Sequence, residues 1–198
     1  NGFNIAASYF GSTTISTPPG KIYLMVHTFD GISDIYGGVS AGSSGSITAP
    51  GSGMNVSWSP DGQYIGLSHG GTGYGSTVFL YKNSTLTKLN ISGLATANNY
   101  GSSSVWSPDG RYYISTWEQP IYINSYSFED GELSLVLYSF FSGSMEGPVR
   151  GIDYSPDGKY IAIALGAYPY LKVYTPGVGT VNPGNILEIE PASNLPHI

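Results

Sequence analysis

The sequence predicts an all-β protein built from four-stranded antiparallel sheets, and three observations support this. The tetrapeptide Ser-Pro-Asp-Gly occurs three times, with its prolines Pro60, Pro108 and Pro156 at a constant interval of 48 residues. Only 10% of the residues are charged, against about 25% in a typical globular domain, whereas glycine (28) and tyrosine (17) are abundant. No segment carries an apolar 3.6-residue period over even three turns, so we expect almost no helix.

The repeated tetrapeptide has the residue types of a hairpin turn. Proline fixes φ at about −65°, as the second turn position requires. The aspartate carboxylate accepts a nearby backbone N–H, and glycine adopts the left-handed conformation that closes the hairpin. The predicted structural turn residues are therefore Ser59, Pro60, Asp61, Gly62, Ser107, Pro108, Asp109, Gly110, Ser155, Pro156, Asp157 and Gly158.

Strands are predicted on both sides of each turn. In the first copy, Val56 and Trp58 alternate with polar residues before the turn, and Tyr64 follows it. A second strand pair comes later in each period, with turn residues at Asn83-Ser84, Asp130-Gly131 and Gly177–Gly179. A repeat of about 40–50 residues that holds four short strands is typical of a β-propeller blade.

The repeat also resembles a known family. Its Trp-Ser-Pro-Asp-Gly-(Arg/Lys/Gln)-Tyr pattern is similar to the WD-repeat-like blades of TolB-type propellers, and "YSPDGKYIAIALGAYPYLKVY" (154–174) is most similar to repeats of bacteriophage structural proteins. The resemblance covers most of residues 54–190. It implies a propeller fold and, by analogy, an extracellular or virion location.

We expect one propeller domain over residues 1–198. Blade 1 is predicted at about 1–50, blade 2 at 51–99, blade 3 at 100–147 and blade 4 at 148–191. Blade 1 is expected to lack its first strand, and residues 192–198 resemble the run-up to a further or closing strand. Two arrangements stay open: a closed ring of four blades, or a four-blade slice of a larger propeller whose open edges favour self-association.

The sequence predicts no catalytic, cofactor-binding or metal site. The aspartates of the turns recur in every copy, which a catalytic residue need not do, and His27, His69 and His197 occupy unlike repeat positions. The absence of cysteine excludes thiolate chemistry and disulfides. A net charge of −6 argues against nucleic acid as a partner. No apolar run approaches the roughly 20 residues that a membrane span needs.

Aromatic residues at strand ends are the best candidates for an interaction surface. Tyrosine and tryptophan on a rigid scaffold can stack on sugars or anchor a protein contact, although they can equally pack between blades. The candidates are Tyr74, Trp117, Tyr122, Tyr168 and Tyr170.

We therefore predict a non-enzymatic structural or interaction module. It would belong to a virion, as a phage tail or capsid accessory protein, or to an extracellular filament. Its partners would be copies of itself, neighbouring subunits or glycans. The alternative function is a carbohydrate-binding adhesin or a divergent hydrolase that uses the central mouth of the propeller.

Overall fold

All regular structure in the described part of the chain is β-strand, which confirms the all-β prediction. The computed structural model describes residues 3–10, 21–29, 36–40, 47–48, 53–69, 75–83, 85–89, 91–92, 101–117, 122–140, 147–168, 170–177 and 180–188. Over these ranges we find no helix with the length and apolar character to cross a membrane.

The strands form four sheets that follow one another along the chain. Sheet I contains β1 (Phe3–Phe10), β2 (Lys21–Phe29), β3 (Tyr36–Ser40) and β4 (Ile47–Thr48). Sheet II contains β5 (Gly53–Trp58), β6 (Tyr64–His69), β7 (Ser76–Lys82) and β8 (Thr85–Lys88). Sheet III contains β9 (Ile91–Ser92), β10 (Gly101–Trp106), β11 (Tyr112–Trp117), β12 (Tyr122–Glu129) and β13 (Glu132–Phe140). Sheet IV contains β14 (Val149–Tyr154), β15 (Ile161–Leu165), β16 (Leu171–Gly177) and β17 (Thr180–Glu188).

Sheets II and IV and strands β10–β13 of sheet III share one topology, a four-stranded antiparallel meander in sequence order. Their first strands lie next to one another, with β5 beside β10 and β10 beside β14, and β1 of sheet I lies beside β5. This succession of first strands is the arrangement of propeller blades around an axis. The predicted fold class, four-stranded antiparallel blades of the propeller type, is confirmed, while the blade boundaries stay predictions.

Strand β9 was not predicted. It lies in the range expected for blade 2, yet it pairs in parallel with β13, the last strand of sheet III. The segment leading from sheet II to β10 thus contributes a short strand to the outer edge of sheet III. Covering an edge in this way satisfies backbone groups that would otherwise be open to another chain.

The core lies between successive sheets rather than at one centre. Sheets I and II enclose a cluster that contains Leu24, Val26, Ile65, Leu67, Phe79 and Leu86. Sheets II and III enclose Val78, Trp106, Tyr113, Tyr126 and Leu133. Sheets III and IV enclose Val105, Ile114, Ile123, Val149, Ile152, Ile161, Ile163, Leu165 and Tyr174. Each sheet is therefore stabilised mainly by its neighbours, as repeat architectures require.

The two interfaces of sheet III are packed by different means. Against sheet II, the ring of Tyr113 lies over Gly66, where an added Cβ would be 2.3 Å from the tyrosine ring. The Tyr113 hydroxyl bonds with the Ser76 hydroxyl at 2.6 Å. Burial raises the pKa of Tyr113 to about 12, although hydrogen bonds with the side chains of Ser104 and Ser76 lower it in part. Against sheet IV, Ile114 at the position equivalent to Gly66 belongs to an aliphatic cluster that includes Ile161.

Candidate functional site

The Ser-Pro-Asp-Gly turns are closed by hydrogen bonds within each turn. In the second copy, the Ser107 N–H donates to the Tyr112 carbonyl and the Gly110 N–H donates to the Ser107 carbonyl, both at 2.9 Å. The Ser107 hydroxyl donates to Asp109 Oδ1 at 2.6 Å and accepts the Tyr112 N–H at 2.9 Å. The Arg111 N–H donates to Asp109 Oδ1 at 3.1 Å. The same bonds form in turns 59–64 and 155–160.

The turn carboxylates are occupied by these bonds. The Ser155 hydroxyl, together with the backbone and side chain of Lys159, lowers the pKa of Asp157 to about 2. Burial raises the pKa of Asp109, but bonds from Ser107 and Arg111 outweigh it and lower the pKa overall. In the part of the chain that is described, His, Asp and Glu side chains form no group of three that could hold a metal ion.

Successive turns also contact one another. A Cβ placed on Gly110 would lie 3.8 Å from Pro60, and one placed on Gly158 would lie 3.8 Å from Pro108. The second and third turns therefore have equivalent neighbours, and the three turns form a continuous row at one end of the first strands.

The predicted interaction aromatics have different environments. Tyr74 lies outside the described residues, and Tyr122 begins β12. Trp117 is 0% exposed, so it belongs to the core and not to a binding surface. Tyr168 and Tyr170 are 56% and 60% exposed. Of the predicted set, these two have described side chains that a ligand can reach.

A cavity of about 540 Å³ lies along the first strands of sheets II, III and IV. This volume is within the range of about 300–1,000 Å³ that is usual for small-molecule sites. Its polar lining residues are Asn55, Ser57, Ser103, Ser104, Arg150 and Asp153. In a propeller the first strands face the central channel, so this cavity lies on the corresponding side of the three sheets.

A β-bulge lies near the start of each first strand of sheets II, III and IV. The register of pairing shifts between Gly53 and Asn55 in β5, between Gly101 and Ser103 in β10, and between Val149 and Gly151 in β14. Bulges re-aim side chains and are frequent beside active sites. The bulged position holds Met54, Ser102 and Arg150 in the three copies.

In β14 the bulge exposes two charged side chains. The burial pattern of Val149–Tyr154 repeats every three positions. Arg150 and Asp153 are both exposed, while Val149 and Ile152 are both buried. A regular strand would place positions 150 and 153 on opposite faces. Arg150 and Asp153 therefore both line the cavity.

The neighbouring sheets contribute an ordered polar network to the same cavity. Asn55 Oδ1 accepts the Ser104 N–H at 3.0 Å and the Ser104 hydroxyl at 3.1 Å. The hydroxyls of Ser57 and Ser104 lie 3.3 Å apart. Because Oδ1 is occupied by Ser104, the Nδ2 group is the donor that Asn55 can offer to a ligand.

This arrangement combines a carboxylate, a guanidinium and an amide donor on fixed strands. A carboxylate can take a proton from water, and cationic or amide donors can stabilise an oxygen that becomes negative. These residues were not among the candidates predicted from the sequence. A comparison of equivalent repeat positions would have found them, because Asp153 stands where the other copies have Ser57 and Val105.

Comparison with solved structures finds proteins with a similar, propeller-type fold. The periplasmic gluconolactonase of Pseudomonas aeruginosa is 19% identical, with a TM-score of 0.61 over 88% of this chain and 50% of that one. A Lactobacillus plantarum protein is 17% identical, with a TM-score of 0.61 over 85% and 49%. A Bacteroides fragilis protein assigned as a 6-phosphogluconolactonase is 17% identical, with a TM-score of 0.59 over 80% and 45%.

These similarities establish the fold, and the chain spans about half the length of each similar structure. No protein-family model matches the sequence, and a search of curated proteins found no match. The comparisons support the β-propeller part of the predicted resemblance. They give no support to the likeness to phage repeats or to a virion.

The comparisons contradict the prediction of a non-enzymatic structural module, because two of these similar propellers carry the names of lactonases. They favour the alternative, a propeller hydrolase. The prediction was wrong because it relied on the repeated turns. Those turns form the row at one end of the strands, whereas the candidate site is built from positions at which the repeats differ.

Proposed function

We propose that this chain forms part of the catalytic channel of a β-propeller hydrolase that opens a cyclic ester of a sugar acid. The observation that carries the proposal is the bulge in β14, which exposes Arg150 and Asp153 together in the channel cavity. The likeness to propellers named as lactonases supports the substrate class. The activity belongs to the whole protein, and the residues described here form one wall of its proposed active site.

The proposed reaction is the addition of water to a lactone carbonyl. The Asp153 carboxylate removes a proton from water as its oxygen attacks the carbonyl carbon. The Arg150 guanidinium and the Asn55 Nδ2 group donate to the carbonyl oxygen as it becomes negative. Collapse of the tetrahedral intermediate breaks the ring C–O bond, and the departing oxygen takes the proton from Asp153. The product is the open hydroxy acid.

The proposal includes a location outside the cytosol. It is supported by the periplasmic location of the similar Pseudomonas gluconolactonase.

The test is acid release from D-glucono-δ-lactone in a pH-stat, with the spontaneous rate subtracted. Arg150→Met and Asp153→Asn should each lower the catalysed kcat/KM by about 10²-fold, the usual effect of removing a group that stabilises the transition state. Arg111→Gln is the matched control. It removes the chain's other arginine, which is exposed and pairs with Asp109 at 2.8 Å in a turn, so the rate should not change.

Two results would overturn the proposal. One is a wild-type rate equal to the spontaneous rate on glucono-, galactono- and 6-phosphoglucono-lactones. The other is a catalysed rate that Arg150→Met and Asp153→Asn leave unchanged.

A further inference from the structure

The turn between β15 and β16 carries an exposed pair of tyrosines. Tyr168 and Tyr170 are more than half exposed, and their ring centroids are 6.3 Å apart with ring planes at 86°. The two nearly perpendicular, exposed rings form a corner that a ligand can reach. Large aromatic surface in this position contributes little to the core.

The backbone of Tyr170 is in an unfavourable conformation. Its φ is +64°, a left-handed value that residues with a side chain seldom adopt. Two backbone bonds hold it there: the Tyr170 N–H donates to the Ala167 carbonyl at 2.8 Å, and the Leu165 N–H donates to the Tyr170 carbonyl at 2.8 Å. Strain of this kind is concentrated at functional positions. Glycine would fit this backbone better, so the tyrosine ring needs a separate explanation.

The turn adjoins the channel cavity. Leu171, the residue after Tyr170, lines the cavity. At the start of the turn, the Gly166 N–H donates to the Pro148 carbonyl at 2.8 Å. A Cβ on Gly166 would be only 3.2 Å from Arg150 Nε. The tyrosine pair therefore lies at the Arg150 end of the cavity, away from the Ser-Pro-Asp-Gly turns.

We infer that Tyr168 and Tyr170 form a saccharide-binding platform at the mouth of this cavity. A pyranose ring has apolar C–H faces and a rim of hydroxyls, and a tyrosine offers an aromatic face and a hydroxyl that match them. A protein contact would need a wider apolar patch, yet near this turn the described exposed large apolar residues add only Leu171. The inference rests on the proposed function in one respect: the sugar on the platform is joined to the sugar that reacts in the cavity. The substrate class is therefore a lactone at the end of an oligosaccharide.

The experiment measures saccharide binding directly, by isothermal titration of the protein with maltotriose, cellotriose, chitotriose and glucose. At least one trisaccharide should bind, and more tightly than glucose. Tyr168→Ala and Tyr170→Gly should each weaken that binding at least tenfold. Tyr160→Ala is the matched control, because Tyr160 is a half-exposed tyrosine at the opposite end of β15; its loss should leave binding unchanged.

Tyr170→Gly separates a binding role from a structural one. Glycine accepts φ +64° without strain, so the Tm of this variant should equal or exceed that of the wild type while binding falls. A lower Tm with unchanged binding would show that the ring packs structurally and would overturn the inference. So would a wild-type protein that binds none of the probes at millimolar concentration.

Two further measurements separate this inference from its alternatives. If no probe binds and Tyr168→Ala lowers the mass measured by light scattering, the pair is a contact between protein copies and the inference is wrong. Arg150→Met should lower lactone hydrolysis about 10²-fold while trisaccharide binding persists. Hydrolysis that survives without any trisaccharide binding would overturn the platform and leave the proposed function standing.

Discussion

The two ends of the first strands β5, β10 and β14 differ in what the repeat keeps constant. At the turn end both side chains and geometry recur, with the bond from the serine N–H to the tyrosine carbonyl at 2.8, 2.9 and 2.9 Å in the three copies. At the bulge end the backbone irregularity recurs, but the bulged residues are Met54, Ser102 and Arg150. In this protein identity between repeats indicates the fold, and difference between repeats indicates the candidate site.

The largest effect is expected at the bulge end, from Gly101→Ala. A Cβ there would lie 1.8 Å from the Gly75 carbonyl oxygen, where the backbones of two sheets meet. The variant should lose about 3 kcal/mol of unfolding free energy, as expected for overpacking. Gly151→Ala is the control, since its Cβ would make an ordinary contact with Ala164 at 3.9 Å and should change stability by less than about 0.5 kcal/mol. Equal losses in urea unfolding would contradict this account of the bulge end.

The third repeat differs from the other two beside its turn, where Tyr154 stands at the position of Trp58 and Trp106. Because tyrosine ionises, the stability of the protein should fall at alkaline pH. Burial, followed by the charge of Asp109, raises the pKa of Tyr154 to about 12. The stabilisation that the un-ionised Tyr154 gives the folded state is complete below the ordinary tyrosine pKa of about 10, and it is lost between about pH 10 and 12. Stability should fall there by up to about 1.4 kcal/mol per pH unit for this group.

Tyr154→Phe should make that fall shallower in urea unfolding at pH 9, 10 and 11. It should not remove the fall, because Tyr113 also has a raised pKa. A Tyr154→Phe slope identical to that of the wild type would show that Tyr154 ionises as freely in the folded protein as in the unfolded one.

The equivalence of the turns can be tested with Gly62→Ala, Gly110→Ala and Gly158→Ala. These glycines have φ of +69°, +73° and +72°, and a Cβ at any of them would meet nothing closer than 3.8 Å. The cost is therefore backbone strain alone, about 1–2 kcal/mol at each position. Calorimetry should give three values that agree within about 0.5 kcal/mol. Unlike values would mean that the turns are not energetically equivalent.

The smallest effect is expected from Asp157→Asn. The pKa of Asp157 is lowered to about 2 from its usual 3.8, so its contribution is present above pH 4 and is lost as the pH falls toward 2. The residue is exposed, so the contribution is small. The variant keeps an oxygen acceptor and should lose Tm less steeply than the wild type between pH 4 and 2. Parallel Tm curves would rule out this linkage.

Local residue chemistry explains what the sequence could predict. Ser-Pro-Asp-Gly specifies its turn through four adjacent residues, so the hairpins and their spacing could be inferred without knowledge of distant contacts. The turn at Asp130-Gly131 is also specified by adjacent residues, since both have positive φ, at +51° and +83°, as a two-residue hairpin turn demands.

The candidate site depends on contacts that no local pattern contains. The bulge that exposes Arg150 arises from pairing between β14 and β15. The Asn55–Ser104 bonds join two sheets through residues that are 49 positions apart in the chain. Trp117 ends a strand, as predicted, but the sheets enclose it. The parallel pairing of β9 with β13 likewise joins segments that are remote in sequence.

The contact between each turn proline and the glycine of the next turn has a geometric consequence. Between neighbouring turns there is room for about one carbon atom beyond the glycine, since a Cβ on Gly110 or Gly158 would already be in van der Waals contact with a proline. The glycine that closes the hairpin at Gly110 and Gly158 therefore also limits how closely the preceding turn can approach. A side chain larger than alanine at Gly110 or Gly158 would meet the neighbouring proline, so the two turns would have to move apart.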